Sequence, residues 1–171
     1  MCKMRKHNFL NILITVVVAS FVIAADRITK AMVSPSANSG PFLGVRITYL
    51  ENKGAMMGIL ANHRWVFMAL SIVLLIAIML YVALSKQISM PTVIVLAAII
   101  GGGIGNMIDR FAYGYVIDFI DIEGILPFFV WVFNVADIFV TCGAVALFVI
   151  VILDEIKTKK AKNNEGSNIQ G

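Results

Sequence analysis

Two aspartates, Asp118 and Asp137, stand in or beside some of the most apolar stretches of this chain, with Asn106, Asp109, Arg110 and Asn134 near them in sequence. A carboxylate within a bilayer costs roughly 2.5–3.5 kcal/mol on insertion scales, so an acid kept there is a functional-site hypothesis by default. Two carboxylates sharing one proton have the chemistry to hydrolyse an amide. The ionised one takes a proton from water, and the protonated one supplies a proton to the substrate. Helix capping and ion conduction are the competing uses of the same residues.

Each polar cluster has a bland reading beside the chemical one. Asn134-Val135-Ala136-Asp137 fits a variant capping box at a helix start. Asn134, Asp137 and Thr141 also form an i, i+3, i+7 stripe that lipid cannot solvate, so the stripe is expected to face a bundle interior. Asp118 lies within Val116-Ile117-Asp118-Phe119-Ile120, where a strand puts Val116 and Ile120 on its own side. Partial desolvation there raises a carboxyl pKa, while a charge guarding an edge strand is the alternative. Asp121 and Glu123 read as solvated loop charges.

Further upstream, Gly101-Gly102-Gly103-Ile104-Gly105-Asn106-Met107-Ile108-Asp109-Arg110 combines small residues with polar ones. Glycines let membrane helices approach closely, so a packing patch topped by interfacial polar groups is the plain alternative. Asp26 and Lys30 read as an i, i+4 pair worth about 0.2–0.5 kcal/mol, anchoring the outer end of a helix. Asn52 precedes Gly54 in a short turn leading to the next apolar run.

The elements that must position these residues follow from composition. Of 171 residues, 60% are hydrophobic and 14% charged, against about 45–50% and about 25% in soluble domains. This is the composition of an integral membrane protein. Spans are expected over about residues 9–25, 65–84, 90–108 and 135–153, within one domain over 1–156, followed by a polar cytoplasmic tail over 157–171. Lys3, Arg5 and Lys6 before the first run, and Lys157, Lys159, Lys160 and Lys162 after the last, put both termini in the cytoplasm. Arg27, Lys30, Arg46, Lys53 and Arg64 would then lie outside and weigh against that orientation.

The basic start with Ala24-Ala25 also fits a cleavable signal peptide. Later apolar runs make the chain multi-pass in either case, and the first run is read as a retained helix. Net charge is +4, but the basic residues, half of them in the two tails, form no nucleic-acid surface. Cys2 and Cys142 make no CxxC, and His7 and His63 are far apart, so neither a metal nor a cofactor is expected.

The outer connections, 26–64 and 110–134, hold two β-prone stretches, one from Val45 through Leu50 and one from Tyr115 through Ile120 after the Tyr113-Gly114 turn. Trp65, Tyr113 and Trp131 fall near the outer interface and Tyr81 near the inner one. A tight link near Lys86 joins the second and third spans, and Pro91 suits a helix start. The expected fold class is an all-α membrane protein of four transmembrane helices with a small extracytoplasmic β-sheet and loop subdomain.

These blocks, taken in order, resemble the lipoprotein signal peptidase (signal peptidase II) family. Asp26-Arg27-Ile28-Thr29-Lys30 is similar to its D-Q-x-T-K block, with Arg27 in place of the usual Gln. Asn52-Lys53-Gly54-Ala55 resembles N-x-G-A-A-[FW], with Met56 and Met57 replacing the last two positions. Gly101 through Arg110 resembles G-G-x-x-G-N-x-[IL]-D-R. Val116 through Ile120 resembles V-V-D-F-I, and Phe133-Asn134-Val135-Ala136-Asp137 resembles F-N-x-A-D, although Trp131 stands where the family often has Pro.

The resemblance implies an aspartyl endopeptidase of the bacterial cytoplasmic (inner) membrane with Asp118 and Asp137 as its catalytic dyad. Asn52, Gly54, Asn106, Arg110 and Asn134 become the substrate-binding and supporting residues, and Asp26, Lys30 and Asp109 become structural. The implied partners are membrane lipids and prolipoproteins cut on the N-terminal side of a diacylglyceryl-modified cysteine, near the outer leaflet. A monomer is expected, since one chain supplies both acids. A small transporter remains the main competitor, although the second span offers only Ser71 as a polar residue. A glycine-packed assembly factor would leave Asp118 unexplained.

Overall fold

The computed structural model describes residues 2–54, 64–85, 87–126 and 131–168. Ala55, Met56, Met57, His63 and Lys86 lie outside them. In chain order the elements are α1 (Cys2–Met32), β1 (Arg46–Asn52), α2 (Arg64–Leu84), α3 (Met90–Ala112), β2 (Val116–Asp121), β3 (Val132–Phe133) and α4 (Val135–Asn168). α1, α3 and α4 each contain a stretch long and apolar enough to cross a membrane, and α2 holds a shorter apolar stretch, Met68–Leu84.

α3 is the central helix. Ser89 caps its start, its hydroxyl accepting from the Thr92 N–H, and Pro91 sits in the first turn where its missing N–H costs nothing. The helix continues beyond the expected 108 to Ala112, because Gly114 takes a left-handed φ of 84° and closes the last turn by donating to the Arg110 carbonyl. Asp109 and Arg110 therefore stand on helix rather than in a loop.

Two glycines set how closely α3 meets its neighbours. A Cβ on Gly101 would lie 2.8 Å from the Ala19 carbonyl oxygen of α1, and one on Gly102 would lie 2.6 Å from the Ala136 carbonyl oxygen of α4. Such contacts are open only to residues without a side chain. The three helices thus pack backbone to backbone at the level where their polar residues begin.

α1 runs to Met32 rather than stopping near 25. Among the described residues its buried positions are Asn11, Thr15, Ala19, Val22, Asp26 and Lys30, one helical face carried through the charged turn. On α4, the face toward α3 includes Ala136, Val140 and Gly143. Thr141 lies off that face and is exposed, so the polar stripe expected to continue from Asn134 stops at Asp137. The helix continues beyond the expected 153 and carries the start of the polar tail expected from 157, through Asn168.

The apolar core gathers toward one end of α3. Val82, Ile88, Val93 and Leu96 form one cluster, and Ala19, Leu75 and Ile100 another. Large apolar side chains such as Phe9, Phe21, Leu70, Val73 and Phe148 point outward, as befits a surface solvated by lipid rather than water.

At the opposite end of α3 lies an antiparallel sheet of order β1-β2-β3. Its register pairs Leu50 with Asp118, Asn52 with Val116, and Ile120 with Phe133, with a bulge between Ile47 and Leu50. The third strand was not expected from sequence, because two residues show no alternation. Asn52 ends β1 instead of lying in a loop before α2, which brings its side chain beside the middle of β2.

Candidate active site

Asp118 is carried by β2 with its side chain toward the bundle, and it is buried. Its Oδ1 accepts from Asn134 Nδ2 at 2.6 Å, and its Oδ2 accepts from Asn52 Nδ2 at 2.8 Å. The Gly54 N–H donates to Asn52 Oδ1 at 3.1 Å, which turns the Asn52 amide so that its NH2 faces the acid. Burial is the main cause raising the Asp118 carboxyl from 3.8 to about 7; the negative charge of Asp137 adds to it, and the two amide donors and Lys30 oppose it.

Asp137 stands in the first turn of α4. Its Oδ2 accepts from the Asn134 N–H at 3.2 Å, while Asn134 Oδ1 accepts from the Asp137 N–H at 2.8 Å. This reciprocal pair is the capping box expected from sequence. The other oxygen, Oδ1, accepts from Asn106 Nδ2 at 2.7 Å. Capping therefore occupies one side of the carboxylate and the α3 amide the other.

Asn134 touches both acids, one through its side-chain amide and one through its backbone N–H. Its Nδ2 also lies 3.0 Å from Asn106 Oδ1. The two asparagines and two aspartates form one connected polar group drawn from α3, β2 and the start of α4. Arg110, at the edge of this group, lies 3.4 Å by Nη1 from the Asn106 carbonyl and feels the charges of Asp137, Asp118 and Asp109.

Beneath the two acids lies a buried ion cluster. Lys30 Nζ is 2.9 Å from Asp26 Oδ2, 2.7 Å from Asp109 Oδ2 and 3.0 Å from Asn106 Oδ1. Three acceptors meet the three N–H bonds of one ammonium. Arg27 Nη2 completes the cluster at 2.6 Å from Asp109 Oδ1 and 3.2 Å from Asp26 Oδ2. Asp26 and Asp109 have fully buried side chains, and that of Lys30 is nearly so.

Sequence reasoning assigned Asp26 and Lys30 an ordinary interfacial pair. The structure corrects that: tertiary burial converts an i, i+4 contact into part of a four-residue network. The carboxylates also reach the main chain beside each proposed catalytic acid. Asp26 Oδ1 accepts from the Ala136 N–H at 3.1 Å, and Asp109 Oδ2 accepts from the Ile117 N–H at 3.2 Å. Every site residue singled out from sequence lies in this region. Arg27 was the one missed, its only signal being an arginine where the family block usually has a neutral amide. Asp121 also departs from expectation: it closes β2, half-buried, 3.7 Å from Arg46 Nη1.

Residues 18–153 match the family model described as signal peptidase (SPase) II. The lipoprotein signal peptidase of Syntrophomonas wolfei is 37% identical over 138 residues, which cover 78% of this chain and 89% of that protein. That of Halalkalibacterium halodurans is 36% identical over 152 residues, 86% of this chain and 97% of that protein. Among solved structures, a bacterial membrane enzyme determined by the in meso method at 2.3 Å superposes with a TM-score of 0.75 at 27% identity, over 82% of this chain and 88% of its own.

Proposed function

Since the chain belongs to the signal peptidase II family and removes signal peptides from lipoprotein precursors, we propose that it does so as an aspartyl endopeptidase whose dyad is Asp118 and Asp137. The observation that carries this is the shared partner Asn134, which bonds Asp118 Oδ1 and Asp137 Oδ2 from a single residue. A residue bonded to both acids ties the strand that carries one to the helix that carries the other, which supports a pair close enough to share a proton.

In this reading the ionised carboxylate takes a proton from water as the water oxygen attacks the scissile carbonyl. The protonated carboxyl donates a hydrogen bond to the carbonyl oxygen. When the C–N bond breaks, the departing nitrogen takes a proton from the dyad and leaves as an amine, and a carboxylic acid is formed. Asn52, Asn106 and Asn134 keep their donors on the carboxylates. Arg110 lends positive charge at the edge, and Gly54 fixes the Asn52 amide.

The bond cut lies on the N-terminal side of a diacylglyceryl-modified cysteine, and the acyl chains bury against the bundle's outward apolar surface. The four helices span the cytoplasmic membrane with both termini inside, so the dyad lies near the outer leaflet. The working unit is a monomer. The test is cleavage of a lipidated precursor by purified protein with a chelator present. Asp118→Asn and Asp137→Asn should each remain folded and lose at least about a hundredfold in rate, the range expected for positioned acid–base groups. Full processing by either variant sinks the dyad, and efficient cleavage of unlipidated precursor sinks the lipid requirement.

A further inference from the structure

The sheet that carries Asp118 has an open edge, and that edge ends at the site. β1 is an outer strand in the order β1-β2-β3. Its first half is covered: the Ser39 N–H donates to the Ile47 carbonyl, the Ile47 N–H donates to Ser39 Oγ, and Asn38 pairs with Thr48. Among the described residues no further strand or bridge covers this edge between Thr48 and Asn52, the last residue of β1, whose side chain holds Asp118.

The neighbouring strand shows which way the main chain of this stretch points. Glu51 stands opposite Ile117. The Ile117 N–H donates to Asp109 Oδ2, and its carbonyl accepts from Asn134 Nδ2. Asn134 directly follows β3, which lies on the side of β2 away from β1. Opposite residues of an antiparallel pair either exchange both bonds or both turn outward. Ile117 turns outward, so Glu51 presents its own N–H and C=O to the open edge. The sheet face is open there too. Leu50 opposes Asp118 and shares its face, yet Leu50 is 44% exposed and Asp118 1%. The bundle covers β2 and leaves that face of β1 uncovered.

A strand edge of this kind takes an extended peptide as a further strand, with main-chain hydrogen bonds supplying the affinity. We infer that the β1 edge at Glu51 binds the substrate segment that follows the modified cysteine, as a strand antiparallel to β1. The inference rests on the peptidase reading above and adds a binding site beyond the bond that is cut. A strand added to β1 lies two strand spacings from β2, about 10 Å, which about three extended residues cover. Leaving the dyad past Asn52 and running toward Thr48, the segment opposes the direction of β1. The pairing of Asn38 with Thr48 ends it after a few residues. Because main-chain groups make the contact, it accepts most side chains and rejects proline at the paired position. Glu51 and Lys53, with side chains 42% and 69% exposed, place charge at the edge, which discourages pairing with the sheet of a second copy.

The experiment measures kcat and KM for synthetic lipidated precursors in detergent. One series carries a single N-methyl group, moved residue by residue through the stretch after the cysteine. With the wild-type enzyme, one position about three residues on should lower kcat/KM about tenfold, the scale of one or two main-chain hydrogen bonds. The positions on either side should lose less than about twofold, since their N–H groups point away from β1. On the protein side, Glu51→Pro removes the edge donor, and an edge strand tolerates proline where the N–H is outside the ladder. Compared with Glu51→Ala, which keeps that N–H, it should raise KM about tenfold for the full precursor. A precursor ending directly after the cysteine should show no such difference. An even response to N-methylation would overturn the inference, and the wild-type series gives that answer whether or not Glu51→Pro folds. Equal KM values for the proline and alanine variants would overturn it as well. So would a change confined to self-association, which would assign the edge to a second copy. Loss of cleavage of both long and short precursors in Asp137→Asn tests the dyad separately. An even N-methyl series with normal cleavage of the short precursor therefore refutes the edge site and leaves the dyad standing.

Discussion

The side-chain amide nitrogen of Asn134 lies 2.6 Å from Oδ1 of Asp118. That bond joins the residue that starts α4 to the middle of β2, and with the Asn134 amide's contact to the Ile117 carbonyl it links the helix carrying Asp137 to the strand carrying Asp118. Because the Asn134 backbone also donates to Asp137, one residue bonds both acids.

Replacing Asn134 should therefore damage activity more than stability. Asn134→Ala removes the cap of α4, at about 1 kcal/mol, and the amide donors to Asp118. The rate of precursor cleavage should fall about a hundredfold, as expected when reacting groups are misplaced. Asn134→Ser keeps a neutral capping oxygen but not the amide. It should melt nearer the wild type in detergent and be as inactive as the alanine variant. An active Asn134→Ser enzyme would show that the amide is not needed.

Lys30 is where stability should suffer most. Its removal leaves the buried Asp26 and Asp109 carboxylates with Arg27 as their one cationic partner. Lys30→Met should cost about 3–5 kcal/mol, the range for breaking a buried ion pair from one side. Chemical or thermal unfolding in detergent measures it. A change like that of a surface i, i+4 pair, about 0.5 kcal/mol or less, would mean that the cluster contributes little.

Close packing of α3 against α4 predicts a third outcome. A Cβ at Gly102 would stand 2.6 Å from the Ala136 carbonyl and 2.8 Å from Val140 Cγ2. Gly102→Ala should destabilise by about 1–3 kcal/mol through overpacking and should shift the start of α4, lowering activity. Gly40→Ala, where a Cβ meets nothing within 4 Å, is the control and should stay within about 0.5 kcal/mol. Equal melting of both variants would contradict the close approach.

The Asp118 carboxyl, raised by burial from 3.8 to about 7, makes stability depend on pH. The folded protein keeps a proton there that the unfolded chain releases, so between about pH 4 and 7 unfolding loses protons. The contribution of Asp118 is accordingly most favourable at the acid end and declines as pH rises, by up to about 1.4 kcal/mol per unit. Melting curves of wild type and Asp118→Asn across that window should diverge, the variant being flatter. Parallel curves would place Asp118 near its ordinary value.

The acids, asparagines and glycines of the site were legible in the sequence because an apolar chain makes every polar residue conspicuous. So was the capping box of Asn134 and Asp137, which depends on residues three apart on one helix. The beginning of α3 at Pro91 was legible for the same local reason, whereas its end was read at about 108 and lies at Ala112. The third strand was not, since Val132-Phe133 has no pattern of its own and forms only where β2 offers an edge. The depth of Asp26 and Lys30 was not either, because burial is decided by what packs over a helix face.

The sequence by itself determined the apolar segments, the chemical groups available and the local signals that start and stop the helices. These depend on side-chain hydrophobicity and on backbone geometry over a few residues. Only the tertiary structure decided that Asn52, Asn106 and Asn134 converge on two acids, and that Asp26 and Asp109 each grip the residue before one of them. Those contacts join positions up to 110 residues apart. They exist because α3 lies against both α1 and α4 at its glycines, which brings charges too costly to bury alone close enough to satisfy one another.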